Sequence, residues 1–452
     1  MKKNHNVETI LGQWYLFDEP DELYNGVVTI LDEEQIYFQI DGFVDFKNRP
    51  INQTFIGKTN SKKIITLFSC NLINAHLTPT KSSNYKVKLC LEGNLEIING
   101  EPLLDNFLVR FDDKNKFGQA SFYKTLLTSE SLVEFETQID AQSKIELESG
   151  VELKIQPLSP FPTDYFTAQE TITITQFCMY QFEFIGKKLL TEITHKYVLH
   201  LENFISIGLN DTVSIQSCGY FDRHGDFYNI IGQIYSSKPI SQKHHHEFYF
   251  SRKSVESRLP VLLKEWFSKK ERLAHAINSY FGPKRMDMYL ETIFLSYARA
   301  LEVFHRVEFS NSKAMNNDEA KRIRKLVKES SFKDSDKKII KEKLNYLTEP
   351  TFKQRLEELI NPFSTFITNF IEMDSFSKNV GDYRNWLTHY SKTTKPKVLK
   401  LEPMKMVRQM ELLLDCCMLK TIGFSENEIQ YMINRRPDSK IFKEITTQEH
   451  TS

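Results

Sequence analysis

The chain has no CxxC pair, no surplus of charge of either sign and no apolar run long enough to span a bilayer. Its six cysteines (Cys70, Cys90, Cys178, Cys218, Cys416 and Cys417) are scattered, without metal-type spacing. That argues against a disulfide framework and for a reducing compartment, the cytoplasm. Lys plus Arg equals Asp plus Glu at 59 each. The field of the whole molecule therefore favours neither nucleic acid nor membrane, and any such partner must be met by a local patch. The most apolar stretch, MELLLDCCML, is interrupted by Asp415, so no membrane segment is expected. The opening MKKNHNVETILGQWY has two lysines but no apolar core behind them, and no signal peptide is expected there. There is no internal repeat, P-loop, dinucleotide fingerprint, H-E-x-x-H or G-x-S-x-G. No cofactor and no metal is expected.

What is present is enough to build cores. Hydrophobic residues make up 40% of 452 and aromatics 12%, which excludes global disorder and suits two or three domains. Up to about residue 255 the pattern is β. In SKIELESGVELKI, Ile145 and Leu147 alternate with polar residues, Ser149 and Gly150 turn the chain, and Val151, Leu153 and Ile155 resume the alternation. That is a period-two hairpin. VKLCLEGNLEII repeats the scheme around Glu92–Asn94, and NGVVTIL, KKIITLFSC and the β-branched TITIT at 171–175 add strands. Many short strands with turns between them predict an antiparallel sandwich or barrel-like domain.

Beyond Pro260 the period becomes helical. LPVLLKEWFSKKERLAHAINSYFGP reads as one helix closed by Gly282–Pro283. A second begins there, with Leu290, Ile293, Phe294, Tyr297, Leu301 and Phe304 on one stripe. Shorter helices fill 318–373, broken at Pro350 and Pro362. A long one follows Pro403, carries Met406, Met410, Leu413, Leu414 and Cys417 on one face, and stops near Gly423. The expected fold class is α+β in two domains: a β-rich N-terminal half over 1–255, a connecting helix over 256–282, an all-α domain over 283–433 and a polar tail over 434–452.

One short segment of the helical half stands apart. In GDYRNWLTHY, residues 381–390, each position advances about 100° around a helix. With Arg384 at zero, Thr388 falls near 40°, Asn385 near 100° and His389 near 140°, while Tyr383, Trp386, Leu387 and Tyr390 occupy roughly 200–300°. Solvated arcs are usually Glu, Lys, Gln and Arg. This one instead joins a permanent cation, an amide, a hydroxyl and an imidazole, the side-chain type that titrates near about 6.5. The residues alone leave two readings open: groups placed for proton transfer and anion binding, or a solvated helix end.

The segment RNWLTH is an R-x4-H motif with Asn directly after the Arg, and the domain around it resembles the HEPN superfamily. FLSYARALEVFHR (294–306) resembles the first long helix of such domains, and MVRQMELLLDCCMLKTIGF the last. LLKEWF, together with LGQWYLFDEPDELYNGVVTIL and IITLFSC, resembles the ApeA family of bacterial anti-phage proteins, which join a β-rich N-terminal domain to a C-terminal HEPN domain. The resemblance covers most of the chain and is closest over 262–306 and 381–424. It implies a metal-independent endoribonuclease of anti-phage defence. In that reading His389 transfers protons and Arg384 holds the scissile phosphate, with Asn385 and Thr388 in support. The 2′-hydroxyl attacks, leaving a 2′,3′-cyclic phosphate and a 5′-hydroxyl. It also implies RNA as substrate, tRNA first among candidates, a homodimer through the HEPN domain and a phage-derived trigger. Two other functions stay open: a ligand-binding β-sandwich with a non-catalytic HEPN dimerisation domain, and a toxin silenced by a separate antitoxin.

Local cations supply what the balanced total does not. Residues 321–341 hold nine Lys or Arg against three Asp or Glu, which is either an anion-binding surface or a solvated helix face. Lys392, Lys395, Lys397 and Lys400 follow His389 closely enough to be RNA-binding candidates. Glu302 pairs with Arg306 at i, i+4 or reaches the Arg384–His389 face to fix it. KHHHEF (His244–His246) with His224 lacks a Cys or acidic ligand at a supporting spacing and reads as a loop or edge cluster. Cys416 and Cys417 read as core.

Overall fold

A computed structural model describes residues 7–32, 35–42, 44, 52–76, 81–112, 117–118, 123–127, 133–137, 143–158, 177–232, 234, 247–389 and 402–436. The chain divides into two compact units, Met1–His245 with Phe250–Ser268, and His246–Tyr249 with Lys269–Ser452. The first is built on antiparallel sheet and the second is helical, so the expected α+β, two-domain class is what the chain adopts.

The first unit begins with β1 (Val7–Leu16), β2 (Glu19–Leu31), β3 (Gln35–Asp41), β4 (Asn52–Thr59), β5 (Ile64–His76) and β6 (Ser82–Glu92). Strand β1 pairs with β2, β2 with β3, β3 with β6, β6 with β5, β5 with β4, and β4 with β1. The ring closes on itself into a six-stranded barrel without a free edge. Alternation fills it: Ile36, Phe38 and Ile40 of β3 point inward while their neighbours are exposed. Trp14 is the central side chain. Its ring meets Phe38 edge-on at 5.0 Å and its indole N–H donates to the Gly26 carbonyl at 3.2 Å. Gly57 makes room for it, since a Cβ there would come within 2.1 Å of the Trp14 ring.

Strand β6 outruns β3 and extends the barrel into a second sheet. There follow β7 (Glu96–Ile98), β8 (Glu101–Phe111), β9 (Tyr123–Leu127), β10 (Val133–Thr137), β11 (Ser143–Glu148), β12 (Val151–Leu158), β13 (Phe177–Leu189), β14 (Ile215–Phe221) and β15 (Phe227–Gly232). The order from β6 outward is β15, β14, β8, β13, β12, β11; β9 and β10 form a separate two-stranded sheet among the described residues. The 143–155 hairpin forms as expected, with Ile145, Leu147, Val151, Leu153 and Ile155 buried and Gly150 at φ +79° in the turn. The hairpin expected around Glu92–Asn94 does not. Strand β6 spends its edges on β5, β3 and β15, and β7 pairs instead with β8. The turn that joins those two is Asn99–Gly100, both at positive φ, the two-residue type that matches strand twist. TITIT at 171–175 lies outside the described residues.

A helical stretch that the β pattern does not foretell follows β13. It comprises α1 (Leu190–Glu192), a π-helical turn (Ile193–Val198) and α2 (Leu199–Leu209). Helix α2 is buried on every side, so no amphipathic period betrays it. The next helix, α3 (Leu259–Ser268), docks on it by a reciprocal pair. Trp266 Nε1 donates to the His200 carbonyl at 3.0 Å, His200 Nε2 meets the Trp266 carbonyl at 3.0 Å, and the rings stack at 4.5 Å.

The single helix expected over 259–283 is two. Helix α3 ends at Ser268, residues 269–273 turn, and α4 (Ala274–Arg285) belongs to the second unit and runs through Gly282–Pro283. Apolar residues recur at helical spacing on both sides of the turn, from Leu259 to Phe267 and from Leu273 to Phe281. The break is invisible in the pattern because the two halves of the stripe serve different cores.

The rest of the second unit is α5 (Leu290–Glu308), α6 (Asn317–Glu329), α7 (Asp334–Leu344), α8 (Phe352–Ile360), α9 (Ser364–Ile367), α10 (Met373–His389), α11 (Glu402–Ile422) and α12 (Glu426–Asn434). Helix α5 starts at Leu290 rather than at Pro283, and Phe294, Tyr297, Leu301 and Phe304 of its expected stripe are buried. Helix α11 buries Met406, Met410, Leu413, Leu414 and Cys417. Helix α12 is an addition to the expected elements, although Ser425 and Glu428 form a capping box ahead of Ile429. No described helix is long and apolar enough to cross a membrane.

Candidate functional site

Helix α10 carries the R-x4-H segment. Phe376, Val380 and Tyr383 are buried at i, i+4 and i+7, with Trp386 and Leu387 half-buried beyond them. The Tyr383 ring meets Phe294 of α5 edge-on at 4.8 Å and Trp386 at 5.6 Å. That anchored face turns Arg384 to a half-buried position and leaves Asn385, Thr388 and His389 exposed.

Arg384 is held from two sides. Its guanidinium donates to Glu302 Oε2 of α5 at 3.0 Å and lies 5.4 Å from the centre of the Phe352 ring of α8. One of its five N–H groups is thereby committed. Glu302 Oε1 accepts from Arg306 at 3.1 Å, so one carboxylate bridges two guanidiniums and the trio keeps a net positive charge. Both alternatives open for Glu302 from spacing are thus realised at once. Thr388 donates its hydroxyl to the Arg384 carbonyl at 2.6 Å, so its proton is spent inside the helix. His389 closes α10, and Lys392, Lys395, Lys397 and Lys400 lie outside the described residues.

Behind this face runs a chain of charges that sequence reasoning missed. Arg306 and Arg355 both lie 3.7 Å from Glu349. Arg355 donates to His305 Nδ1 at 3.1 Å, and Glu358 accepts from His305 Nε2 at 2.7 Å and from the Ser312 hydroxyl at 2.7 Å. An arginine can only donate, so Nδ1 must be the acceptor and His305 is neutral with its proton on Nε2. Burial pushes His305 below the usual histidine value; the hydrogen bond and charge of Glu358 oppose this, and Arg355 and Arg306 add to it. The residues on α8 left no signal, because nothing in sequence ties Phe352 or Arg355 to a motif thirty positions away.

This buried histidine predicts a pH dependence. Its neutral form carries stability that is complete above about pH 6.5, the unfolded value. It is lost as the pH falls toward the lower folded value, because the unfolded chain takes up the proton first. Protonation would set two donors face to face at Nδ1 and Arg355. The melting temperature of the helical unit should therefore fall between about pH 7.5 and about 5.5. In His305→Gln, which keeps a donor toward Glu358 but cannot titrate, that slope should flatten; an unchanged slope would remove His305 as its source.

The other candidates are quiet. All six cysteines are buried as thiols, and burial pushes Cys90 and Cys218 up to about 12. Cys416 and Cys417 lie in the core of α11, as expected. His224 accepts from Arg223 at 3.1 Å on an exposed turn, while His244–His246 fall outside the described residues. Among the described residues, no group of three or more His, Cys, Asp or Glu stands close enough to hold a metal.

The unit is all-α and presents Arg384, Asn385 and His389 from one helix, with Glu302 on a long neighbour bracing the arginine. In comparison with known families, residues 295–428 match the family described as Apea-like HEPN, and residues 9–266 match ApeA N-terminal domain 1. The chain belongs to the ApeA-like family, with a β-rich N-terminal domain and a C-terminal HEPN domain. Membership places it among anti-phage defence proteins of nuclease type, the HEPN domain being typically a nuclease fold. No curated protein and no solved structure was found to match it.

Proposed function

We propose that the protein is a metal-independent endoribonuclease of anti-phage defence, acting in the cytoplasm on RNA, with tRNA the first substrate class to test. The observation that carries this reading is Arg384: braced by Glu302 and Phe352, yet with most of its donor fork uncommitted among the described residues, on the helix that carries exposed His389. Gly381 supports it. Among the described residues a Cβ there would meet nothing within 4 Å, so no packing against them requires a residue that weakens a helix interior by roughly 0.5–1 kcal/mol relative to Ala. The face beside Arg384 is left low for something from outside.

The chemistry follows from the groups. His389 takes the proton of a 2′-hydroxyl, whose oxygen bonds to the adjacent phosphorus as the bond to the 5′ oxygen breaks. That oxygen receives a proton from the same histidine of a second copy of the chain, and the products are a 2′,3′-cyclic phosphate and a 5′-hydroxyl. Arg384 stabilises the charge growing on the non-bridging oxygens. Asn385 orders the imidazole or donates to the phosphate. Base and acid sit on opposite sides of the phosphorus, so one copy supplies half a site; two chains related by a two-fold axis complete it. A phage-derived trigger, sensed by the β-rich unit, releases the activity.

The full-length protein incubated with total RNA in excess EDTA should yield cyclic-phosphate ends, with Arg384→Ala and His389→Ala inactive. Equal cutting by all three would remove Arg384 and His389 from the chemistry, and no cutting by any with a phage lysate added would leave a non-catalytic module. Toxicity on expression without phage, abolished by His389→Ala, would favour a toxin kept silent by an antitoxin.

A further inference from the structure

We infer that α6 and α7 form an RNA-gripping arm of the helical unit, holding phosphates and unstacked bases that flank the cut. This deepens the ribonuclease reading and rests on it for the identity of the ligand.

The two helices form a hairpin that hardly belongs to the core. Of α6 only Ala320 is buried, and of α7 no residue whose side chain is described. With 13 residues, α6 extends about 20 Å at 1.5 Å per residue. Its base is pinned beside Arg384. Ala314 N–H donates to the Thr348 carbonyl at 3.0 Å to close the hairpin, Glu349 meets Arg306, and Phe352 then lies under the Arg384 guanidinium.

Its charges are not those of an ordinary solvated face, which balances its signs. Lys321, Arg322 and Lys325 do have i, i+3 or i+4 carboxylates, in exposed pairs that contribute little and exchange readily for phosphate. Lys328, Lys333, Lys338 and Lys341 are exposed and meet no carboxylate among the described residues. Between them stand exposed apolar groups: Phe332 at the tip is 53% exposed and Tyr346 near the base 68%. Cations for a phosphate backbone and free aromatic faces for bases are the two halves of single-stranded RNA recognition. An anionic membrane is the weaker fit: Ile323 and Val327 are half-buried, and the exposed Leu326, Phe332 and Ile339 stand among the hairpin's exposed cations rather than on a face of their own.

The test measures binding of a fluorescently labelled tRNA transcript to the full-length chain in a His389→Ala background, so the result does not depend on cleavage. Replacing Lys328, Lys333, Lys338 and Lys341 together by Gln should weaken binding at least about tenfold at physiological salt. It should also lower the slope of log K against log salt by about 3, from roughly 0.7–0.9 per neutralised phosphate. Phe332→Ala should weaken binding several-fold with the salt slope unchanged, since stacking is not ionic. Unaltered affinity and slope in the lysine variant would overturn the proposal. So would loss of binding to phosphatidylserine vesicles with tRNA binding intact. If the lysine variant melts below its parent, Phe332→Ala decides alone. Normal tRNA binding through the arm by a wild-type chain that never cuts RNA would sink the nuclease reading and leave the arm standing.

Discussion

His389→Ala is expected to slow RNA cleavage at neutral pH by about 10²–10⁴-fold, the usual contribution of a positioned acid–base group. The helix should not notice. His389 is the last described residue of α10 and exposed, so its removal opens no cavity. Arg384→Lys is the sharper companion, because it keeps the charge and removes the fork. A lysine cannot span Glu302 and a phosphate in one plane, nor lie flat on Phe352. A loss of about 10²–10³-fold, the scale for one preorganised donor, is expected in kcat. Glu302→Gln would free Arg384 from its brace while leaving a hydrogen-bond acceptor, and a smaller loss should follow. The order His389→Ala and Arg384→Lys well below Glu302→Gln is the signature of chemistry at the motif. Glu302→Gln matching the other two would mean that the whole surface, and not the two named groups, governs the rate.

How far this could be read from sequence depends on where each signal lives. The split of 381–390 into an anchored and a polar face is local geometry, and the burial of Tyr383 opposite exposed Asn385 and Thr388 follows from about 100° per residue. The stripe of α5 and the 143–155 hairpin were legible for the same reason. The barrel was legible only as many strands. Its closure depends on β6 pairing with β5 on one side and β3 then β15 on the other, and no residue of β6 announces three partners. Helix α2 was hidden because burial on all sides erases the period. The brace on Arg384 was half legible: Glu302 sits on the long helix of the Ala-Leu-Glu segment and was a candidate for that face, whereas Phe352 comes from a short helix with no motif.

Asp415→Ala should destabilise the helical unit by about 3–5 kcal/mol, the scale for breaking a buried ionic cluster by removing one partner. In sequence Asp415 is an anomaly, a carboxylate inside MELLLDCCML. In the structure it is fully buried and accepts from Tyr249 Oη at 2.6 Å, from Arg436 at 2.8 Å and from the Tyr280 hydroxyl, with Lys284 Nζ at 3.8 Å. Burial pushes both tyrosines well above their ordinary values, so they stay protonated and donate. Burial works to lower Lys284, but Glu411, Tyr280 and Asp415 together raise it well above its usual value. Without the carboxylate, the ion pair with Arg436 and the acceptor for both buried tyrosine hydroxyls are lost together. Asp415→Asn keeps the shape and one acceptor and should cost less, while Tyr249→Phe should cost about 1 kcal/mol, the net worth of one hydrogen bond. Because the groups share one network, Asp415→Ala with Tyr249→Phe should cost less than their sum. Chemical denaturation of the full chain, followed by the transition of the helical unit, reads all of these variants. Tyr249 comes from a short segment ahead of α3, described from residue 247, that groups with this unit. If Asp415→Ala unfolds at the parent's denaturant concentration, the cluster does not hold that segment, and the buried charge needs another explanation.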